Sequence, residues 1–370
     1  MSKQQSLPAG FHERSPDWHF SKFVEFTKLK GELGEPSPHL AIVGYIVRDF
    51  SLEKKLWMLG CYAATYCLPS AQVICELRTP TEARNDPAYL LDWLSEHWPG
   101  IVTRTERRCV RSPKKMMECL HSYATWMVEG YPALTKLRRG HETRENYDLV
   151  WESVSTVKYF GRYINIRFIE GLRRYCGIPA KLYDIRSIGG WSPKRALCYL
   201  YPERAPELLI DDAHGNVLTD TLAMDLLGRV QKELPEVDEY VLAAMLCEYK
   251  AQFENHKQYP GWTIDQEPLL YDKVFDYWGD IVDRNVLWAA RRAIFPPEAL
   301  GECNNWNGTR WELTRTLRDN GYLWSDLLYD YAETTNVARP VERSGPWDSL
   351  KSQKQKQNAP VRGSTQSFLI

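Results

Sequence analysis

The spacing of its apolar residues constrains this chain most, because over long stretches it follows the period of an α-helix. Apolar side chains recur at intervals of three and four residues, as on the buried face of an amphipathic helix. The segments with this spacing include residues 52–63, 116–127 and 274–281. Asp86 and Ser192 each precede a proline, which combines a capping side chain with the fixed φ that begins a helix.

Strand patterns are sparse by comparison. Residues 39–47 form an apolar run of the length of one strand, and residues 208–218 predict a β-hairpin around His214, Gly215 and Asn216. We therefore expect a mainly α fold with few short strands.

Composition divides the chain into a core-forming body and two polar ends. With 44% hydrophobic residues in a length of 370, the body has enough apolar side chains for a large core. Residues 1–20 lack this patterning, and residues 334–370 are rich in Lys, Gln, Ser and Gly, which is typical of a disordered tail. We predict one helical domain over residues 21–333, in one or two lobes, between a loose N-terminal segment and that tail.

Several classes of protein are disfavoured by what the sequence lacks. No apolar run approaches the ~18 residues of a membrane span, and the N-terminus has no secretory signal. There is no P-loop, dinucleotide-binding glycine motif, hydrolase elbow or zinc-protease signature. The nine scattered cysteines indicate a reducing cytoplasm, and the isolated histidines predict no structural metal site.

Charge is balanced overall, with a net of −1, but it is unevenly distributed. Residues 101–144 hold ten basic and four acidic side chains (+6), and residues 158–195 hold nine and two (+7). Residues 203–283 hold six basic and eighteen acidic side chains (−12). Two basic segments with aromatic residues favour a nucleic acid as partner, with the acidic segment facing elsewhere. Solvated helix faces that differ in sign are the alternative.

The most informative segment is a predicted hairpin near residues 154–175, where the chain reads VSTVKYFGRYINIRFIEGLRRY. A helix end, a tight turn at Gly161 and a second helix with one apolar face would form a helix-hairpin-helix. The free amides that open the second helix, together with Lys158 and Arg162, would bind phosphate. An ordinary glycine-capped turn is the alternative, because the usual hairpin has two glycines.

This hairpin resembles that of the helix-hairpin-helix DNA glycosylases, in which a catalytic aspartate follows the hairpin; here Asp184 lies 23 residues after Gly161. A wider resemblance is to the amino acid:DNA transferases of phages, also called α-glutamyl/putrescinyl thymine pyrophosphorylases, which are distant relatives of the glycosylases. It rests on residues 52–71, 157–175 and 287–313 and covers roughly residues 20–330. It implies a glycosylase-like helical fold.

The resemblance also implies a specific reaction. Such enzymes act on double-stranded phage DNA in which 5-hydroxymethyluracil carries a pyrophosphate, and they replace the pyrophosphate with the amine of an amino acid or polyamine. A separate hydroxymethyluracil DNA kinase prepares the substrate, which agrees with the missing P-loop. The place of action would be the cytoplasm of an infected bacterium. No cofactor is specified, and a divalent metal bound with the pyrophosphate stays open.

The chemistry of that reaction assigns candidate residues. Asp184 would act as general base or hold the ammonium group, and Glu302 would bind the incoming amine. Arginine suits the phosphate contacts better than lysine. The candidate DNA- and phosphate-binding residues are Lys158, Gly161, Arg162, Arg186 and Arg195. The candidates for pyrophosphate or amino-acid binding are Arg291, Trp306 and Arg310, and those for stacking on a flipped base are Tyr62, Tyr66 and Trp191.

Each of these assignments has a structural alternative. The aromatic residues would serve equally as core, the arginines as members of surface ion pairs, and Asp184 as a partner of Arg186. Two other functions share the hairpin as well. One is a DNA glycosylase that excises a modified base, and the other is a non-catalytic DNA-binding subunit of a base-modification complex.

Overall fold

The computed structural model describes residues 15–32, 38–137, 140–183, 191–210, 213–254 and 271–294. All regular elements in these ranges are helices, which confirms the mainly α fold. The α-helices are α1 (Pro16–Glu32), α2 (Pro38–Val47), α3 (Leu52–Thr65), α4 (Leu68–Leu77), α5 (Pro80–Asn85), α6 (Pro87–His97), α7 (Pro113–Glu129), α8 (Tyr131–Thr135), α9 (Arg144–Ser155), α10 (Arg162–Cys176), α11 (Trp191–Leu200), α12 (Ala205–Leu208), α13 (Ala213–Val230), α14 (Glu239–Glu254), α15 (Asp272–Trp278) and α16 (Arg284–Ile294). Short 3₁₀ helices are Trp98–Gly100, Thr105–Val110 and Pro202–Arg204.

Both predicted strands are wrong. Residues 39–47 belong to α2, which packs against α3, α10 and α16. A helix enclosed by three others is apolar on most of its surface, so its sequence loses the period that distinguishes it from a buried strand. Of the predicted hairpin, Leu208 ends α12 and residues 213–218 begin α13, while residues 211–212 lie outside the described ranges. The carbonyl of Gly215 accepts a hydrogen bond from the Thr219 hydroxyl at 2.6 Å inside α13.

Of the two helix starts predicted from capping residues, the structure confirms the one at Asp86. The Asp86 carboxylate accepts a hydrogen bond from the Tyr89 amide at 2.9 Å and caps α6, as predicted. At the second start, α11 already begins at Trp191, so Ser192 lies in its first turn and not at the cap. Near the N-terminus, α1 begins at Pro16, inside the segment 1–20 that the sequence assigns to a loose end.

The core is built around α3, whose residues from Leu56 to Thr65 are all buried. This helix packs on α4, α7 and α10. Gly60 allows the close approach of α7, because a Cβ there would overlap the ring of Tyr123. The Tyr123 hydroxyl donates to the Leu56 carbonyl at 2.5 Å, and its ring stacks on Trp57 at 6.1 Å. Helix α10, which forms the second half of the predicted hairpin, and helix α7 therefore pack on the same buried helix.

Candidate nucleic-acid interface

Two helices joined by a turn lie where the sequence predicts the hairpin. Helix α9 ends at Ser155, residues 156–161 form the turn, and α10 begins at Arg162. The two helices pack against each other, and Ile164 and Phe168 lie on the buried face of α10, as the sequence predicts.

The backbone of the turn differs from the prediction in one respect. The residue in the left-handed region is Tyr159, with a φ of 67°, whereas Gly161 has a φ of −88° and a ψ of 174° and serves as the N-cap of α10. A left-handed conformation strains a residue with a side chain by roughly 1–2 kcal/mol, so other contacts must hold it. The neighbours Val157 and Phe160 are buried, at 2% and 7% exposure, and anchor the turn on the core.

Arg107 is the first of the side chains that hold this turn. It is only 1% exposed and lies at a kink in the 3₁₀ helix Thr105–Val110. Its Nη1 donates to the carbonyl of Tyr159 at 3.0 Å, and its Nε donates to the carbonyl of Ala64 at 3.1 Å. The Arg104 amide donates to the Thr65 carbonyl, also at 3.0 Å. One buried guanidinium therefore joins the end of α3 to the hairpin turn.

Glu118 of α7 holds the turn from a second side. Its Oε2 accepts hydrogen bonds from the Tyr159 hydroxyl at 2.6 Å and from the Lys158 Nζ at 2.8 Å. The bond from Lys158, followed by the bond from Tyr159, lowers the pKa of the Glu118 carboxyl, and the same contact raises the pKa of Lys158. The Lys158 amide donates to the Ser122 hydroxyl at 2.9 Å. Lys158 thus shares its charge with a carboxylate and is 53% exposed.

The start of α10 is open. Gly161 supplies no capping side chain, the first turn has no acidic residue, and a Cβ at Gly161 would meet no atom within 4 Å. The first amides of a helix have no partner within the helix, and the positive end of its dipole lies there. Arg162 is exposed and makes no side-chain hydrogen bond or ion pair to any described residue. This arrangement of amides and a free guanidinium suits a phosphate group.

Most other cations of the +7 segment are paired. Glu170 is fully buried between Arg167 and Arg174, at 2.9 Å from each. Burial opposes the charge of Arg167, but Glu170 and smaller contributions from Tyr163, Tyr66 and Cys247 together outweigh burial, and the pKa of Arg167 rises. Arg173 binds Asp238 at 2.8 Å. The acidic segment 203–283 was expected to face elsewhere, and for Asp238 that expectation is wrong.

The predicted stacking residues Tyr62 and Tyr66 lie in the core. They are 3% and 2% exposed, and their rings stack with centroids 5.2 Å apart. The hydroxyls of Tyr66 and Tyr163 form a hydrogen bond at 2.7 Å. Tyr66 ends α3 with a φ of 52°. The structure therefore places both residues in the alternative role that the sequence left open, which is packing.

The remaining candidates are spread along the chain. Arg195 lies half-buried in α11, while Trp191 and Arg291 lie in α11 and α16 with side chains outside the described part. The residues outside the described ranges are Asp184, Arg186, Glu302, Trp306 and Arg310, together with the predicted tail 334–370. Among the residues that the structure does describe, it brings Lys158, Gly161 and Arg162 together at one turn.

Sequence reasoning missed Arg107 and Glu118. Arg107 falls in the +6 segment, where nothing in the local pattern separates it from its exposed neighbours. Its role depends on two carbonyls, 43 and 52 residues away in the chain. Glu118 looks like an ordinary polar residue of an amphipathic helix, and only the packing of α7 on the hairpin shows its function.

A helical fold with an open helix start beside exposed cations, as the described residues show, is typical of nucleic-acid-binding proteins. The sequence model of one protein family, described as amino acid:DNA transferase, matches residues 38–257, more than half of the chain. The chain belongs to this amino acid:DNA transferase family, as the sequence predicted. It is accordingly a transferase, with DNA and an amino acid as substrates.

The matched range contains the whole hairpin and Asp184, and it ends before Arg291, Glu302 and Arg310. A search of curated proteins found no match, and neither did a search of solved structures. In the described ranges, no helix has both the length and the apolar character that a membrane crossing requires.

Proposed function

We propose that this transferase joins the amine of an amino acid or polyamine to 5-pyrophosphoryloxymethyl-uracil in double-stranded DNA and releases pyrophosphate. Family membership supports DNA and an amino acid as the substrates. The observation that carries the proposal is the open start of α10 with the unpaired Arg162, inside the matched range. A separate kinase would supply the pyrophosphorylated base.

The hairpin would hold the DNA backbone. A phosphate oxygen at the start of α10 would accept hydrogen bonds from free amides, and Arg162 would add a charge-assisted contact. Such contacts fix the register of a protein on the duplex without reading its sequence. Because a base inside a duplex is shielded on both faces, the modified uracil would be flipped out before reaction.

The transfer itself balances as a substitution at the exocyclic methylene carbon. A C–N bond forms between the amine and this carbon, while the C–O bond to the pyrophosphate breaks. The bonding pair leaves with the pyrophosphate, and the new ammonium group loses one proton. We assign that proton to the carboxylate of Asp184, and Glu302 would hold the amine before attack. Cations that face the leaving group stabilise its charge, the role we assign to Arg186, Arg195, Arg291 and Arg310.

The anchoring of the chain just before Asp184 supports this role. The Tyr183 hydroxyl donates to the Glu142 carbonyl at 2.7 Å. Glu142 also forms an ion pair with Arg173 at 2.5 Å, so the residue before Asp184 is tied to α10.

The direct test uses DNA that contains 5-hydroxymethyluracil, treated with a kinase of the required activity. This DNA is incubated with purified protein and a mixture of amino acids and polyamines, and its nucleosides are analysed by mass spectrometry. We expect an amine adduct on thymine with the wild type. Asp184→Asn should lose turnover and still bind DNA.

Three results would overturn the proposal. Abasic sites without adducts would identify a glycosylase. Bound but chemically unchanged DNA, with every amine tried, would identify a binding subunit. Wild-type turnover by the Asp184→Asn variant would remove this residue from the mechanism.

A further inference from the structure

We propose that the DNA-contacting surface extends beyond the hairpin to a second group of cations at the start of α7, formed by Arg111, Lys114 and Lys115. We refer to these three residues as the α7 cluster. This inference rests on the DNA-binding part of the proposed function and adds a surface that the hairpin resemblance does not include.

The cations of the α7 cluster are exposed and unpaired. In the described part of the chain, none of the three side chains makes a hydrogen bond or an ion pair. Many cations on other surfaces have carboxylate partners within 4 Å. These pairs include Lys22–Glu25, Lys54–Glu76, Arg84–Glu129, Lys181–Glu239, Arg204–Glu207 and Arg284–Asp272. Lys232 and Lys273 are exposed without such a partner in the described part of the chain, but each is a single lysine of the acidic segment, whereas the three cations of the α7 cluster lie within five residues of one another.

The α7 cluster and the hairpin form a continuous surface. Cys109, just before the cluster, has its Sγ 4.0 Å from the carbonyl of Tyr159 in the hairpin turn. Lys114 lies close enough to Glu118 to contribute to the lowered pKa of that carboxyl. Because Glu118 also binds Lys158 at 2.8 Å, one carboxylate lies between the lysine of the cluster and the lysine of the hairpin.

The position of the lysines is unfavourable in the absence of an anion. Lys114 and Lys115 lie in the first turn of α7, which contains no acidic residue. The positive end of the helix dipole lies there, and a cation at that end is disfavoured by roughly 0.3–1 kcal/mol. A bound anion offsets this repulsion. The binding free energy of a phosphate is therefore more favourable at the α7 cluster than at the same lysines away from a helix start.

Charge complementarity selects the backbone of a DNA duplex as the partner. A single small anion would occupy the hairpin or the α7 cluster, whereas a duplex presents a row of phosphates to both at once. The +6 and +7 segments of the sequence, separate along the chain, meet at this surface. Binding across both groups would hold the duplex at two points and fix its direction.

The test is the salt dependence of DNA binding. The affinity for a 20-base-pair duplex is measured over a range of KCl concentrations for the wild type and for the Lys114→Gln/Lys115→Gln double variant. Each lost phosphate contact lowers the slope of log affinity against log salt by about 0.9, so we expect a fall of about 1.8. The matched control is Lys232→Gln/Lys273→Gln, which removes two exposed lysines from the acidic segment and should leave the slope unchanged.

The outcomes separate this inference from the proposed reaction. An unchanged slope in the α7 variant, or an equal fall in the control, would overturn the inference even if the wild type forms the amine adduct. A lower slope in the α7 variant alone would support it even if no adduct forms, in which case the proposed chemistry fails. Melting curves of both variants verify that they are folded.

Discussion

Arg107 contributes to the interface through the backbone that it fixes and not through its own exposure. Its guanidinium is buried, and it donates to the carbonyls of Ala64 and Tyr159. The first carbonyl lies in the last turn of α3, and the second belongs to the left-handed residue of the hairpin turn, where the Cys109 thiol is a weaker donor at 4.0 Å. The residue therefore acts as a positioning residue for the hairpin.

We expect Arg107→Lys to weaken DNA binding although the charge is kept. A lysine has one ammonium group and cannot bond to both carbonyls in the geometry of a guanidinium, so a buried carbonyl loses its partner at a cost of about 1–3 kcal/mol. The melting temperature should fall, and the affinity for DNA should fall at a temperature at which both proteins are folded. Arg108→Lys, at the exposed neighbour, is the control. Unchanged affinity in the folded Arg107→Lys protein would show that Arg107 serves stability alone.

Whereas Arg107 supports DNA binding, Glu118 weakens it, because the Glu118 carboxylate competes with phosphate for Lys158. We expect Glu118→Gln to bind DNA more tightly and with a steeper salt dependence, since Lys158 gains a full charge for the phosphate. The amide oxygen of glutamine still accepts from the Tyr159 hydroxyl, so the turn is retained. Titration of a labelled duplex measures the change. Weaker binding would mean that Glu118 contributes mainly by ordering the turn.

At this scale the sequence predicts the residues that contact solvent better than the residues that support them. Arg162 and Lys158 follow from a local pattern of glycine, turn and basic residues. Tyr159 does not, because a tyrosine seldom adopts a positive φ and only Arg107 and Glu118 make it favourable here. Tyr62 and Tyr66 were predicted to stack on a base and instead lie in the core. The sequence could not separate the two roles, because an aromatic side chain suits both.

At the scale of elements, the open start of α10 lacks a stabilising cap that other helices have, and this leaves its first amides available for binding. At the start of several other helices a side chain accepts from a first-turn amide, and these residues include Ser51, Thr79, Asp86, Ser112, Thr143 and Asp238. Gly161 leaves the same groups of α10 uncapped. A cap would stabilise the helix and occupy the amides that are available to phosphate.

We expect Gly161→Asp to raise the melting temperature slightly and to weaken DNA binding strongly. The backbone of Gly161 is extended and a Cβ meets nothing within 4 Å, so the side chain fits without strain. An aspartate cap in place of glycine stabilises a helix by a few tenths of a kcal/mol, and its charge repels phosphate. Gly161→Ser caps without a charge and should weaken binding less. If both variants bind like the wild type, the amides of α10 do not contact DNA.

The two elements that were predicted wrongly have different causes. Residues 39–47 form an apolar segment whose sequence fits a strand or an enclosed helix equally, and the three neighbours of α2 decide between them. Residues 208–218 contain turn-forming residues that α13 tolerates near its start. Helix α7 was predicted correctly, because its solvent-facing side preserves the helical period of its apolar residues.

At the scale of the whole molecule, the opposite charges of distant segments form a seam between α10 and the start of α14. Arg173 binds Asp238 and Glu142, and Lys181 binds Glu239 at 3.0 Å. The net charges of the sequence segments predict a positive hairpin surface but overstate its charge. A sum over residues cannot show which charges are paired inside the fold.

We expect Asp238→Ala to lower stability and to leave DNA binding unchanged. Its carboxylate accepts from the Val241 amide at 2.9 Å at the start of α14 and from Arg173. Loss of a cap costs about 1 kcal/mol, and loss of the ion pair adds to it. Denaturant unfolding measures the cost, with Glu236→Ala as the exposed control. A parallel loss of DNA affinity would connect this seam to the hairpin surface.

The anchored hairpin turn also determines which partner changes shape when the complex forms. The amides of Lys158 and Phe160 are hydrogen-bonded, and the turn is attached to the core at Val157. Such amides exchange with deuterium only through rare openings. Because the turn is held in one conformation, we expect the duplex, by bending, to supply any change of shape on binding. DNA steps that kink at low cost, such as TA and CA, would then be modified first, and the preference would come from elasticity rather than from contacts with bases.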